Sequence, residues 1–194
     1  MSFFANVDKS DSKSLIPEFI SKNYLFYFTI FSIFIVLKFV FSKSNSLIFL
    51  ISPIDKMVGI ATNSNSTFIP PGGYYHEKLN IIIDKSCSGF NFWLICFLVL
   101  SFLISRYIKN RLYCLAALPA LLFISYALAI LINSLRIIYF VNTQGLRQIF
   151  NLSRFSWLHQ AEGTLIYLSS LIIIYMIFNY LLNKFRGEHN AKLA

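Results

Sequence analysis

Residues 84–105 read DKSCSGFNFWLICFLVLSFLIS and give the clearest indication of the fold. This stretch passes from a polar segment into an apolar run long enough to cross a bilayer as a helix. Cys87 lies at that boundary, between Ser86 and Ser88 and shortly before Gly89. The stretch therefore predicts a spanning helix with a thiol at one end, where the bilayer meets water.

The composition places the whole chain in the same class. Of its 194 residues, 57% are hydrophobic and 13% are charged, whereas a soluble domain carries about 25% charged residues. The net charge is +9, but most Lys and Arg residues flank apolar runs, as membrane-anchoring charges do. No nucleic-acid partner is indicated, because no basic surface stands apart from the apolar runs.

The chain contains four apolar runs that predict spanning helices: residues 24–41, 88–105, 112–133 and 164–182. We assign them to one membrane-embedded domain, residues 24–185, with cytoplasmic tails at residues 1–23 and 186–194. The first run is too long for a signal peptide and no Ala-x-Ala-like site follows it, so we expect a retained anchor.

The segment between the first two spans predicts a further helix. Apolar residues from Leu47 to Ala61 recur at helical spacing, which is typical of an amphipathic helix on the membrane surface or against the bundle. Turn-forming residues and a short apolar run, residues 79–83, then lead back to the bundle. The predicted fold class is therefore all-α: a polytopic membrane helix bundle of about four spans, plus an amphipathic, interfacial helix in the first outer loop.

The distribution of basic residues predicts the orientation. The short loop at residues 106–111 is basic and contains no acidic residue, so the positive-inside rule places it in the cytoplasm with both termini. Residues 43–87 and 137–162 then form the outer loops. Cys87, Arg136 and His159 consequently lie on one side of the membrane, each near a helix end.

These three residue types suit acyl-transfer chemistry. Unsatisfied N–H groups at the start of the second span favour an anion, such as the Cys87 thiolate. Arg136 lies three residues after Asn133, on the same helix face, and its guanidinium can hold an oxyanion. His159, four residues before Gly163, can transfer a proton near neutral pH.

Neighbouring small and polar residues support this interpretation. We expect Ser86 or Ser88 to cap the second span, Gly89 to allow close approach to the thiol, and Asn91 to share the face of Cys87. Each candidate also has a structural interpretation: a small residue at a helix start, an arginine reaching the headgroups, or an interfacial histidine. Their occurrence at one depth favours a catalytic site.

Other chemistries lack the residues they need. There is no cysteine pair at zinc spacing, no Gly-x-Ser-x-Gly elbow and no phosphate loop, so no metal or cofactor is indicated. Cys96 and Cys114 lie inside apolar runs and are predicted to be packing residues. His76 and His189 are given no role, and Glu162 is expected to be an acidic residue in the first turn of the fourth span.

Three segments carry a family resemblance: Ser86-Cys87-Ser88-Gly89-Phe90-Asn91, Asn133-Ser134-Leu135-Arg136 and His159-x-x-x-Gly163. In this order, at successive outer helix ends, they resemble the exosortase/archaeosortase family over roughly residues 47–180. The chain has fewer spans than larger members and looks like a compact form.

The resemblance implies a thiol protease or transpeptidase of the prokaryotic cytoplasmic membrane, with Cys87 as nucleophile, Arg136 as transition-state stabiliser and His159 as proton-transfer residue. Its substrates would be exported proteins whose C-terminal sorting signal combines a short motif, an apolar helix and a basic tail. Hydrolysis and transfer to an acceptor both stay open. The alternative is a non-enzymatic membrane transport or assembly protein whose polar residues bind a lipid headgroup.

Overall fold

The computed structural model describes the backbone of residues 12–43, 47–70, 73–108, 110–149 and 156–191, and the side chains of residues 24–41, 47–70, 73–108, 110, 112–143 and 161–185. The elements in these ranges are α1 (Ser12–Lys43), α2 (Ile48–Thr62), β1 (Thr67–Ile69), β2 (Gly73–His76), β3 (Ile81–Ile83), α3 (Phe90–Tyr107), α4 (Arg111–Ile149) and α5 (Ser156–Ala191).

Four of these helices are long and apolar enough to cross a membrane, as predicted. Their apolar stretches are Tyr24–Phe41 in α1, Lys85–Tyr107 reaching into α3, Leu112–Thr143 in α4 and Ala161–Phe185 in α5. The fold is an all-α helix bundle of the kind found in integral membrane proteins. Within it α3 is central, since 56% of its apolar stretch is buried against 6% of that in α5. The outward apolar side chains of α1 and α5 suit contact with lipid.

Two helices extend beyond the predicted spans. The polar loop expected from residue 137 is absent up to Ile149, because α4 continues to that residue, and α5 begins at Ser156 within the predicted outer loop. Only Gly145 interrupts the helix-forming residues at the end of α4, and one glycine costs a helix about 1 kcal/mol. Likewise, α1 begins at Ser12, inside the predicted N-terminal tail.

The predicted amphipathic helix is α2, and it packs against α4. Pro53 lies inside α2 and has no N–H to donate to the Phe49 carbonyl oxygen. The Tyr126 hydroxyl of α4 donates to that oxygen instead, at 2.6 Å. The hydrogen bond satisfies the carbonyl freed by Pro53 and fixes α2 on the bundle.

A three-stranded antiparallel sheet, in the order β1-β2-β3, follows α2 and was not predicted. Thr67 pairs with Tyr75 across β1 and β2, and Tyr75 pairs with Ile82 across β2 and β3. The signal was present in the β-branched and aromatic residues flanking Pro70 and Gly73, which are typical of a hairpin. The strands are short, and their pattern was obscured by the apolar runs on either side.

A buried polar cluster, here called the clasp (Asp55, Ser64, Ser66 and His76), fastens the sheet to α2. His76 is fully buried; its Nε2 lies 2.8 Å from Asp55 Oδ1 and its Nδ1 lies 2.8 Å from Ser64 Oγ. Ser66 Oγ donates to the second oxygen of Asp55 at 3.0 Å. His76, to which the sequence gave no role, thus joins β2 to α2, and burial of every partner indicates a structural function.

Aromatic contacts and small side chains pack the centre of the bundle. Trp93 of α3 donates from Nε1 to the Leu122 carbonyl oxygen of α4 at 3.2 Å, and its ring lies edge-on to that of Tyr126. Cys96 and Cys114 are buried free thiols, consistent with packing. These contacts fix α3 relative to α4, the two helices that carry most of the candidate site.

Candidate functional site

A hydrogen-bonded turn before α3 positions Cys87. The Asp84 carboxylate accepts from the Ser86 N–H at 2.9 Å and from the Ser86 hydroxyl at 2.6 Å. The Cys87 N–H then donates to the Asp84 carbonyl oxygen at 3.0 Å, closing a short 3₁₀ helix, Lys85–Cys87. Cys87 Sγ lies 3.8 Å from Ser86 Oγ. Since the Ser86 hydroxyl hydrogen is directed to Asp84, the thiol is the donor in this weak contact.

Gly89 connects that turn to α3 in a conformation that suits glycine. Its φ is +65°, in the left-handed region. A Cβ there would lie 3.2 Å from Cγ of Asn133. The sequence predicted that Gly89 lets another chain approach the thiol, but the group that approaches is the Asn133 side chain. The N-cap residue of α3 is Gly89, so the prediction that Ser86 or Ser88 caps this helix is wrong. Ser88 is buried, and its hydroxyl accepts from the Phe90 N–H at 3.4 Å.

Asn133 of α4 is completely buried and uses both ends of its amide. Its Nδ2 donates to the Cys87 carbonyl oxygen. Its Oδ1 accepts from the Tyr167 hydroxyl of α5 at 2.5 Å. One side chain therefore ties the backbone of the candidate nucleophile to both α4 and α5.

Arg136 lies one turn further along α4, on the same face as Asn133. Its guanidinium carbon is 5.0 Å from the centre of the Tyr167 ring, a cation–π contact. Gly163, one turn before Tyr167 on the same face of α5, also fits closely against the guanidinium, since a Cβ there would lie 3.3 Å from Arg136 Nη1. Among the side chains described, the only ion pair is His76–Asp55, so no carboxylate neutralises Arg136 there.

Two cavities meet at this point. The first, here called the strand cavity, has a volume of about 350 Å³ and is lined by β3, Asp84, Ser86, Cys87 and, from α4, Arg136, Ile137 and Phe140. The second, the helix cavity, has a volume of about 410 Å³ and opens between α3 and α5, lined by residues including Phe92, Ile95, Tyr167, Leu168 and Leu171. Ser86 and Arg136 belong to both walls. Cys87 and Arg136 therefore share one cavity, at the junction with the other.

Asn91 lies in the helix cavity, although the sequence predicted that it shares the face of Cys87. Its Oδ1 accepts a hydrogen bond from Lys38 Nζ of α1 at 2.7 Å. This contact links α1 to the start of α3 and gives the only charged residue of the first apolar run a polar partner. Asn91 thus serves the packing of α1.

His159 can be placed only by its backbone, because its side chain lies outside the described residues. The backbone belongs to α5, which begins at Ser156. Position 159 is one helical turn before Gly163, the residue that packs on Arg136. The expectation that Glu162 lies in the first turn of the helix is wrong, because α5 begins six positions earlier.

Tyr167 is the site residue that sequence reasoning missed. Its ring stacks on Phe92 at a centroid distance of 4.9 Å and receives Arg136 on its π system. The available signal was spacing, since positions 159, 163 and 167 recur every four residues and so share one face of α5.

No protein-family model, curated protein or solved structure matches this chain. The site is therefore described by its own geometry: a thiol, a guanidinium that no described carboxylate neutralises, and a buried amide–phenol pair, gathered where three spanning helices meet. A thiol supplies a nucleophile, and a guanidinium facing the same cavity stabilises negative charge formed beside it.

Proposed function

We propose that this protein is a membrane-embedded cysteine peptidase or transpeptidase, similar to the exosortase/archaeosortase family, that cleaves the C-terminal sorting signal of exported proteins. The observation that carries the proposal is the sharing of one cavity by Cys87 and Arg136, with Asn133 holding the Cys87 backbone. In this proposal the site faces outward from the prokaryotic cytoplasmic membrane, and both termini are cytoplasmic.

The reaction begins with attack of the Cys87 thiolate on the carbonyl carbon of the scissile peptide bond. A carbon–sulfur bond forms, and the carbonyl oxygen becomes an oxyanion, which Arg136 stabilises with its charge and planar donors. The carbon–nitrogen bond then breaks as His159 donates a proton to the leaving amine. The N-terminal part of the substrate stays on Cys87 as a thioester, and the signal helix leaves.

The second half of the reaction releases Cys87. Water attacks the thioester to give a carboxylic acid, or an amine on an acceptor attacks it to give a new amide. In either case His159 takes the proton of the attacking group, and the electron pair of the broken carbon–sulfur bond returns to Cys87 as thiolate. Both routes use the same three residues, so the product formed in the cell decides between protease and transpeptidase.

The helix cavity supports the choice of a membrane-bound substrate. It opens between α3 and α5 beside Arg136, and its walls are mainly apolar at Phe92, Ile95 and Leu171. An apolar substrate helix lying there would bring the residues just before it to the junction with the strand cavity. The scissile bond would then lie between Cys87 and Arg136.

The test replaces the nucleophile. The variant Cys87→Ala is expected to abolish processing of a reporter protein that carries a sorting signal from the same genome, with membrane insertion unchanged. Cys114→Ala is the matched control, since Cys114 is a buried free thiol in α4. Processing that persists in Cys87→Ala would remove the enzyme assignment.

A lipid-binding protein is the second candidate, favoured by the absence of a carboxylate partner for Arg136 within the described part of the chain. A guanidinium that faces a cavity can bind a phosphate headgroup. A thiol-reactive probe that cannot cross membranes separates the two functions. Rapid, pH-dependent labelling of Cys87 indicates a nucleophile, whereas a thiol that does not react favours lipid binding.

A further inference from the structure

The β3 strand lies at the edge of the sheet, and its residues line the strand cavity together with Cys87. In the sheet order β1-β2-β3, β3 pairs with β2 on one side, and no other strand among the described residues pairs with its second side. A sheet edge presents backbone N–H and C=O groups that are available to another chain. The free edge of β3 leads, four residues after Ile83, to Cys87.

The strand cavity runs along this edge. Ile81, Ile82 and Ile83 all line it, together with Asn80 and Asp84 before and after them. Consecutive side chains of a strand point to opposite faces, so a cavity that touches every residue of β3 follows its edge. The opposite wall is α4, through Arg136, Ile137 and Phe140.

The chemistry of these walls suits an extended peptide. Its backbone can hydrogen-bond with the row of backbone groups on β3, and its side chains can contact the apolar residues Ile82, Ile137 and Phe140. A lipid headgroup would pair with Arg136 but would leave the strand edge unpaired. Three residues of β3 extend over about 10 Å, enough for a short recognition motif.

We propose that the substrate segment just before the scissile bond binds as a fourth strand along β3, an inference that rests on the proposed function. The segment occupies the strand cavity and the apolar signal helix occupies the helix cavity. The scissile bond lies at their junction, where Ser86 and Arg136 belong to both walls.

The direction of pairing follows from the order of the two cavities. The substrate chain runs from its exported domain, through the strand cavity, to the junction and then into the membrane. The chain of β3 also runs toward the junction, from Ile81 through Ile83 to Cys87. The added strand is therefore parallel to β3.

Disulfide cross-linking tests the strand register without requiring catalysis. Ile82→Cys and, separately, Asn80→Cys are made in the full chain carrying Cys87→Ala; both positions are exposed. The probe is a reporter domain fused to the end of a protein from the source genome that finishes in a short motif, an apolar helix and a basic cluster. Single cysteines are placed at successive positions before the apolar helix.

The expected result is an alternating pattern. Cross-links to Ile82→Cys should form several-fold more with every second substrate position than with the positions between, because side chains alternate along a strand. Because Asn80 immediately precedes β3, parallel pairing should move the favoured positions further from the apolar helix for Asn80→Cys. Ile60→Cys, at a residue 84% exposed on α2, is the control and should give no cross-link.

The outcomes separate this inference from the proposed function. Cross-links without alternation, or none, overturn strand pairing even where the wild-type chain processes the reporter through Cys87. If the favoured substrate positions for Asn80→Cys lie closer to the apolar helix than those for Ile82→Cys, the parallel direction is wrong. Alternating cross-links in a protein that does not process the reporter would support strand binding and contradict the peptidase assignment.

Discussion

Asn133 shows how much of the site depends on single side chains. It is uncharged and fully buried. Its amide nitrogen donates to the Cys87 carbonyl oxygen, and its amide oxygen accepts from the Tyr167 hydroxyl. The amide can serve as donor and acceptor at once, which a hydrophobic residue of the same size cannot do. The position of the thiol relative to Arg136 is therefore set by hydrogen bonds between helices.

Replacing Tyr167 with Phe tests this link. The ring remains, with its stacking on Phe92 and its contact with Arg136, but Asn133 Oδ1 loses its donor. A buried acceptor left unsatisfied costs about 1–3 kcal/mol, so we expect a lower unfolding temperature and roughly tenfold slower processing, about 1.4 kcal/mol in the barrier. Both are measurable on purified protein in detergent.

Tyr180→Phe provides the control for that substitution. Tyr180 is on the same helix but is 68% exposed, and its variant should match wild type in both measurements. If Tyr167→Phe also matched wild type, the hydrogen bond to Asn133 would have no part in positioning Cys87.

Replacing Arg136 tests whether the planar shape of its guanidinium, in addition to its positive charge, is needed for processing. Arg136→Lys keeps the positive charge but loses the planar fork of donors. Loss of an oxyanion donor slows acyl transfer by about 10²–10³-fold, so we expect a fall in kcat of that order with little change in protein level. The conservative control is Arg106→Lys, at an exposed position in α3, and a wild-type rate in Arg136→Lys would reject the stabilising role.

At the scale of elements, the clasp explains why a short sheet stays fixed above the bundle. A three-stranded sheet of three- and four-residue strands has little core of its own. The buried hydrogen bonds that join His76 to Asp55 and Ser64 attach the sheet to α2. The Tyr126–Phe49 hydrogen bond then attaches α2 to α4. The β3 wall of the strand cavity is therefore held in place by two attachments in series, first of the sheet to α2 and then of α2 to α4.

Breaking the clasp should loosen that wall. Asp55→Ala leaves the buried His76 Nε2 without its acceptor, which costs about 1–3 kcal/mol, and also removes the acceptor of the half-buried Ser66 Oγ. We expect a lower unfolding temperature and faster hydrogen exchange in β2 and β3, measured by mass spectrometry. Glu77→Ala, an exposed change beside the same strand, should leave exchange unchanged; equal exchange in the two variants would contradict the clasp.

At the scale of the whole molecule, four candidate spans predict that Cys87 lies on the side of the membrane opposite to both termini. The polar segment between α2 and β1 lies on the side of Cys87, and the connection between α3 and α4 lies on the other. With that connection in the cytoplasm, as the basic residues predict, only an exported protein could reach the strand cavity. Orientation therefore determines the class of substrate.

Accessibility labelling tests the orientation. In the Cys87→Ala background, a maleimide that cannot cross membranes should label Asn65→Cys in intact cells and Asn110→Cys only after permeabilisation; both positions are exposed. The reason is that one full span separates the two loops. The opposite labelling pattern would place the cavity in the cytoplasm and exclude exported proteins as substrates.

The class of fold could be predicted from the sequence alone, because spanning a membrane requires long apolar runs that are visible in each segment. Cys87 lies just before α3, as predicted from the sequence, but the prediction that Arg136 lies at a helix end is wrong, because α4 continues to Ile149 and Arg136 lies inside that helix. The surroundings of Cys87 and Arg136 became known only from the tertiary structure: the Asn133–Tyr167 hydrogen bond, the clasp and the edge strand β3. These features depend on contacts between residues far apart in the chain; Cys87 and Asn133, for example, are separated by 46 positions. The spacing of residues along one segment carries no information about which distant side chain completes a hydrogen bond.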